Sequence, residues 1–387
     1  SSLTGSVFQN PRTQFFNLDT TGEIAFGMEN LGVPREEMHG RVRDVARELG
    51  MERLMGRGIF ELSGGQMQSV AFASAWACRP SVYVLDEPSS NLDPPSMEKL
   101  ASFISKAKSS GSAVIIAEHR LSYLAGVADR YLLFEGGSVV AEWDAQRFLG
   151  LPDSERESCG LRSSEPPKLA DLMQRLSRPV SAFPAVEARG IYAGYEKGVP
   201  VLEGITVSFD PGRVVGVVGR NGAGKSTLLK CLAGIKKEEL GHVRFQGSVI
   251  PPKRRPNHAF LVMQDPDYQL FRPSVRDELA SAAPSSSDPD EPRLEAVLEA
   301  FGLGDVADRH PASLSGGQKQ RCVCAIASES GAQALLFDEP TSGLDFRNME
   351  RLALILREEA SRGKTVAVVS HDTEFLSKAC DQIVLIE

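Results

Sequence analysis

Short apolar runs recur along the chain, each ending in polar or turn residues, and they alternate with longer segments of helical spacing. The clearest are Tyr83-Val84-Leu85, Val114-Ile115-Ile116-Ala117, Val214–Val218, Ala334-Leu335-Leu336-Phe337 and residues 366–369. From Val186 onward, Val201-Leu202 and Ile205-Thr206-Val207 add shorter ones. Runs that are apolar on both faces are those of buried parallel strands. Their alternation with helical stretches at 69–77, 228–232 and 322–328 predicts an α/β fold with a mostly parallel core.

The pattern occurs twice. Leu62-Ser63-Gly64-Gly65-Gln66 returns as Leu314-Ser315-Gly316-Gly317-Gln318, Asp86-Glu87-Pro88 as Asp338-Glu339-Pro340, and His119 as His371. Each pair is 252 residues apart (314 − 62, 338 − 86 and 371 − 119). Upstream, Gln9-Asn10-Pro11 matches Gln264-Asp265-Pro266 at 255, so the first copy carries three extra residues in between. So long a period means two homologous domains rather than a solenoid. The expected organisation is a first domain over 1–150, a linker over 151–185 and a second domain over 186–387. The linker holds the turn-rich Ser163-Ser164-Glu165-Pro166-Pro167 and a short helical stretch at 169–176. Only the second copy carries a glycine-rich loop before its Gln264, and the chain opens without Met. Both ends are therefore expected to be trimmed relative to the natural protein.

That loop carries the first chemistry. Gly219-Arg220-Asn221-Gly222-Ala223-Gly224-Lys225-Ser226-Thr227 fits G-x-x-x-x-G-K-[ST] between an apolar strand and a helical stretch. Gly219, Gly222 and Gly224 let backbone N–H groups curl round phosphate oxygens, and the following helix start favours negative charge. Lys225 is expected to bridge the β- and γ-phosphates, with Ser226 on Mg²⁺. Two apolar strands end in paired carboxylates, Asp86-Glu87 and Asp338-Glu339. The Asp suits a Mg²⁺ ligand, and the Glu can polarise the water that attacks the γ-phosphate. The Leu-Ser-Gly-Gly-Gln segments open small-residue helices, where bare N–H groups and a hydroxyl make a second anion-binding edge. His119 and His371 follow apolar strands, a position that spacing alone reads as structural.

Composition narrows the class. The chain has 387 residues, 42% hydrophobic and 24% charged, with net charge −8. That suits a globular protein of roughly two to three domains. The acidic balance argues against a nucleic-acid-coating protein, which needs clustered Lys and Arg. No apolar run reaches the ~18 residues of a membrane span, so any membrane role goes through a partner. Six cysteines without metal-binding spacing read as core thiols in a reducing compartment.

Together these motifs resemble the ATP-binding cassette (ABC) ATPases across nearly the whole chain outside the linker. The resemblance implies tandem P-loop NTPase domains, each with a RecA-like parallel core and a helical signature subdomain, binding ATP and Mg²⁺. It makes residues 219–227 the Walker A loop, including Asn221 and Thr227, and Tyr195 the adenine-stacking aromatic, although a packed loop tyrosine is the other reading. Gln9 and Gln264 become Q-loop glutamines, the latter also a Mg²⁺ ligand. Ser63, Gly64, Gly65, Gln66 and Ser315, Gly316, Gly317, Gln318 become signature motifs. Asp86 and Asp338 become Walker B metal ligands, Glu87 and Glu339 catalytic carboxylates, Asp93 and Asp345 D-loop residues, and His119 and His371 switch histidines. The family pairs such domains head to tail. One composite site is then complete, with Lys225, Ser226, Gln264, Asp338, Glu339 and His371 facing Ser63, Gly64, Gly65 and Asp93. Ser69 stands where the family has the arginine present here as Arg321.

Gln9-Asn10-Pro11-Arg12-Thr13-Gln14-Phe15-Phe16 and Gln264-Asp265-Pro266-Asp267-Tyr268-Gln269-Leu270-Phe271 further resemble the energy-coupling factor (ECF) importers of cobalt and vitamins. This implies a motor subunit peripheral to the cytoplasmic face of the membrane. It would dock a transmembrane coupling subunit near Phe15, Phe16, Leu270 and Phe271, together with a small substrate-binding membrane protein. No nucleic acid partner is expected. The competing class is a soluble ABC ATPase acting on ribosomes or DNA, disfavoured by the short linker and the absence of heptads.

Overall fold

The computed structural model describes residues 3–90, 92–178, 181–196, 198–282 and 291–386; Asn91, beside the D-loop Asp93, and Glu387 lie outside them. The chain forms two compact units, 1–165 and 166–387.

In the first unit, β1 (Thr4–Val7), β2 (Val82–Asp86) and β3 (Ala113–Ala117) make a parallel sheet in that order. Tyr83 and Leu85 pack against the helices Thr20–Asn30, Gly64–Ala77 and Pro94–Ser109. Phe72 anchors the cluster, stacked on Tyr83 at 5.6 Å and tilted against Phe103 at 5.3 Å. An antiparallel hairpin of β4 (Arg130–Glu135) and β5 (Ser138–Asp144) follows. With the helix Ala145–Leu149 it encloses Leu121, Tyr131, Trp143, Phe148 and Leu151.

The second unit has two sheets. β6 (Val186–Glu196), β7 (Val199–Phe209), β9 (Leu240–Phe245) and β10 (Ser248–Val249) form an antiparallel sheet in the order β10-β9-β6-β7. β8 (Val214–Val218), β11 (Ala259–Val262), β12 (Ala334–Asp338), β13 (Thr365–Val369) and β14 (Gln382–Leu385) form a parallel one, ordered β11-β12-β13-β8-β14. Alternate residues of each parallel strand enter different cores, as period-2 geometry requires. Leu335, Phe337, Val366 and Val368 meet helices including Gly316–Glu329 and Phe346–Ser361. Ala334, Leu336, Ala367 and Val369 meet the antiparallel sheet and the helix Lys225–Leu232. This is the tandem α/β P-loop architecture the sequence implies.

The stretch expected as a linker, 151–185, is divided between the units. Arg156 is buried in the first unit, donating to the Leu151 carbonyl at 3.0 Å and to Ser164 Oγ. Leu172 and Leu176, from the helix Leu169–Arg175 and its end, enter the second unit's core, and the Ile383 N–H donates to the Leu176 carbonyl at 3.3 Å. Apolar spacing inside a turn-rich segment is enough to dock it.

Candidate functional site

In the second unit the glycine-rich loop joins β8 to the helix Lys225–Leu232. Gly224 caps that helix at φ 86°, and a Cβ there would lie 2.4 Å from Leu202 Cδ2, so the position requires glycine on both counts. Lys225 Nζ donates to the Gly219 and Arg220 carbonyls at 2.8 and 2.9 Å, which holds the ammonium across the loop. Ser226 Oγ donates to Asp338 Oδ1 at 2.9 Å. A hydroxyl and a carboxylate thus meet at one point, the hard oxygen set that suits Mg²⁺. Burial pushes the Asp338 carboxyl above its ordinary range, while Ser226 and the ammonium groups of Lys230 and Lys225 oppose that shift. Gln264 follows β11 on an exposed turn. Tyr195 is exposed at the end of β6, its hydroxyl 3.4 Å from Thr227 Oγ1, with Lys236 Nζ 5.0 Å from the ring centre.

Glu339 shows what the sequence could not. Its φ is 50°, and that of Glu87 is 39°, two of four non-glycine residues with positive φ among those described. Such backbone costs roughly 1–3 kcal/mol and persists where the surroundings impose it. Here the Glu339 N–H donates to the Val369 carbonyl and the Glu87 N–H to the Ala117 carbonyl, each tying the turn to the neighbouring strand. Both carboxylates then face a histidine, at 3.5 Å from Glu339 Oε1 to His371 Nε2 and 3.5 Å from Glu87 Oε1 to His119 Nε2. Gln9 Nε2 donates to Glu87 Oε2 at 2.8 Å. The histidines read from spacing as structural residues therefore stand beside the proposed base in both units. Asp86 is exposed where Asp338 is buried.

Both Leu-Ser-Gly-Gly-Gln segments fold as capping boxes. Ser63 Oγ accepts the Gln66 N–H while Gln66 Oε1 accepts the Ser63 N–H, and Ser315 with Gln318 repeats this. The hydroxyl accepts from the helix, which leaves its own hydrogen to donate to an anion. The S-x-x-Q spacing carried this signal. Gly64 and Gly65, like Gly316 and Gly317, form the first turn. A Cβ on Gly65 would come within 2.3 Å of Ser96 Oγ. Asp93 and Asp345 each cap the next helix, accepting from Ser96 N–H and Asn348 N–H. Arg321 Nη1 donates to Asn348 Oδ1 at 2.7 Å, whereas Ser69 Oγ returns to its own helix at the Gly65 carbonyl.

The loops after Gln9 and Gln264 are built alike. Gln14 Oε1 accepts the Phe8 N–H and Gln269 Oε1 the Met263 N–H, so the second glutamine of each motif closes its loop. Buried Glu23 accepts the N–H groups of Phe16 and Asn17, and buried Glu278 those of Phe271 and Arg272. Phe16 and Phe271 are left 75% and 79% exposed. Phe15 and Leu270, expected on the same docking surface, instead pack against the cores, so each loop presents one phenylalanine rather than a pair.

Comparison with known proteins agrees with this geometry. The model of the ABC transporter family matches residues 2–90 and 202–342. An ABC transporter ATP-binding protein, by name, from Treponema denticola is 40% identical over 396 residues, covering 100% of this chain and 79% of that protein. One from Bacillus anthracis is 31% identical, covering 99% and 75%. Among solved structures, the ribosome-bound archaeal Pelota and ABCE1 assembly superposes with a TM-score of 0.73 at 26% identity, covering 99% of this chain and 62% of that one. The RNase-L inhibitor superposes at 0.65 with 24% identity, a likeness of fold, over 98% of this chain and 71% of that one. Among the described residues no helix is long and apolar enough to cross a membrane. With two copies of the motif set on two α/β units, the chain belongs to the ABC transporter family and is an ATP-hydrolysing enzyme that uses ATP and Mg²⁺.

Proposed function

We propose that the chain is the motor subunit of an importer of the ECF type, in which ATP binding and hydrolysis drive uptake of a vitamin or metal ion through membrane partners. The observation that carries this is the pair of exposed phenylalanines, Phe16 and Phe271, each on a loop whose backbone N–H groups are accepted by a buried glutamate. The carboxylates cap the backbone of their loops, and the Phe16 ring also stacks on Phe26 at 5.0 Å, yet both rings keep most of their surface in solvent; such apolar surface suits docking of an apolar helix from a transmembrane coupling subunit. The first unit adds exposed Leu18 and Phe60 nearby, the Ile59 N–H donating to the Leu18 carbonyl.

In this reading the two domains, 1–150 and 186–387, pair head to tail. Lys225, Ser226, Thr227, Gln264, Asp338, Glu339 and His371 serve one nucleotide, with Ser63, Gly64, Gly65, Gln66 and Asp93 supplied from the first domain. Gln9, Asp86, Glu87 and His119 serve the other with Ser315, Gly316, Gly317, Gln318 and Asp345. Tyr195 stacks on the base. The protein works at the cytoplasmic face of the membrane. A ribosome-acting ATPase is the second reading, favoured by the likeness to the ribosome-bound assembly.

Purification from its own membranes in mild detergent separates them. The expected result is a co-purifying multi-helix membrane protein and a small hydrophobic subunit, both lost in the Phe16→Glu, Phe271→Glu double variant while nucleotide binding remains. Recovery with ribosomes, or membrane association unchanged by both substitutions, overturns the importer reading.

A further inference from the structure

The histidine loop of the first unit is tied to the segment that leads to Asp93. Glu118 Oε1 accepts the N–H groups of His119 and Arg120 at 2.8 and 3.1 Å. Its Oε2 accepts the Ser89 N–H at 3.3 Å and the Tyr123 hydroxyl at 2.9 Å. Burial, then Glu118 itself, pushes the Tyr123 phenol far up, so it stays a donor. On the other side of His119, Arg120 Nη1 donates to the Leu92 carbonyl at 3.3 Å. The two neighbours of His119 thus bind the Ser89 N–H and the Leu92 carbonyl, the latter on the residue immediately before Asp93.

The second unit places Ser370 and Asp372 at these positions, 252 residues on. Ser370 Oγ lies 3.5 Å from Thr341 Oγ1, a neutral hydroxyl pair. Asp372 accepts the Phe375 N–H and so caps the helix Thr373–Ala379. A carboxylate with four donors and a guanidinium have replaced them in the first unit, and charge-assisted hydrogen bonds are roughly twice as strong as neutral ones.

We infer that Glu118 and Arg120 are positioning residues that lock the histidine loop of the first unit to its D-loop and so set where Asp93 stands. The inference rests on the reading that Asp93 serves the nucleotide held by Lys225. Within the first unit the Glu87–His119 pair is thus joined to the approach to Asp93 through Glu118 and Arg120, side chains whose counterparts in the second unit are Ser370 and Asp372.

Steady-state ATP hydrolysis by the whole protein tests it. Arg120→Ala and Glu118→Ser each lower kcat about tenfold with KM changed less than about twofold, because a misplaced transition-state group costs turnover more than binding. Arg120→Lys, which keeps a donor for the Leu92 carbonyl, recovers most of the loss. In an Asp93→Ala background Arg120→Ala causes no further loss, since both act on the same group. A merely structural role would instead give additive losses. Tyr123→Phe removes a single donor from Glu118 and lowers kcat in the same direction should Glu118→Ser fail to fold. Loss in Asp93→Ala with full turnover in Arg120→Ala and Tyr123→Phe, or additive losses, overturns the inference alone. Full turnover in Asp93→Ala overturns the underlying reading and the inference with it.

Discussion

The two parallel sheets share a sequence pattern but differ in burial. On one face the repeat is faithful: Tyr83 and Leu85, like Leu335 and Phe337, are buried against helices. On the other face, Val84 is 39% exposed where Leu336 is 1%, and Ile115 is 60% exposed where Ala367 is 0%. In the second unit that face is covered by the antiparallel sheet and the phosphate-loop helix. An apolar residue in a strand thus records a preference for cover, while the stacked layer decides whether it is met. The same layer sets the electrostatics. It buries Asp338 and raises its carboxyl, whereas Asp86 stands at the exposed end of an equivalent strand.

The largest effect that would sharpen this contrast is on turnover. Glu339→Gln is expected to lower ATP hydrolysis by about 10²-fold or more while nucleotide still binds, because it removes the group placed to polarise water. Phosphate release and nucleotide-fluorescence titration measure the two; unchanged turnover in Glu339→Gln would break the assignment. Next comes stability. Ala367→Asp puts an unpaired charge into the central strand β13 and is expected to cost about 4 kcal/mol, whereas Ile115→Asp on the exposed face costs about 1 kcal/mol or less. Chemical denaturation reads both, and equal costs would mean that the first sheet is covered in solution.

The smallest effect is chemical. Burial pushes the Cys231 thiol up to about 11 and that of Cys322 to about 12, and raises Cys324 and Cys380 beyond that. All four lie in the second unit. Since the thiolate is the reactive form, alkylation near pH 8 should leave these four unlabelled, while the half-buried Cys159 of the first unit is accessible to reagent. As pH rises, Cys231 should be the first of the four to react. Peptide mass mapping checks the order, and early labelling of Cys324 would contradict a packed second unit.

Much of this was legible in the residues. The strands, the phosphate loop and the doubling follow from apolar runs and a constant offset, because buried parallel strands and glycine-lined loops tolerate few alternatives. Other features were written in the sequence but need geometry to decode. Gln66 and Gln318 complete capping boxes, and Gln14 and Gln269 close loops from inside. Still others were not legible. Nothing local marks the left-handed backbone at Glu87 and Glu339, which is imposed by hydrogen bonds from strands some thirty residues away. Nor does adjacency show that Phe15 turns inward while Phe16 turns out. The Phe16 ring stacks on Phe26 of the following helix, whose Glu23 accepts the Phe16 N–H.

The buried glutamate behind Phe271 has a mechanical side. Glu278 belongs to the helix Val275–Ala282, whose Val275 and Leu279 share a close-packed core with Cys322 and Val323 of the signature helix. Packing of that density has little compressibility. The Phe271 backbone, the glutamate, its helix and the helix capped by Ser315 are therefore joined by continuous contacts within one unit. Docking at Phe271, as proposed above, would load the signature helix through a path with few gaps.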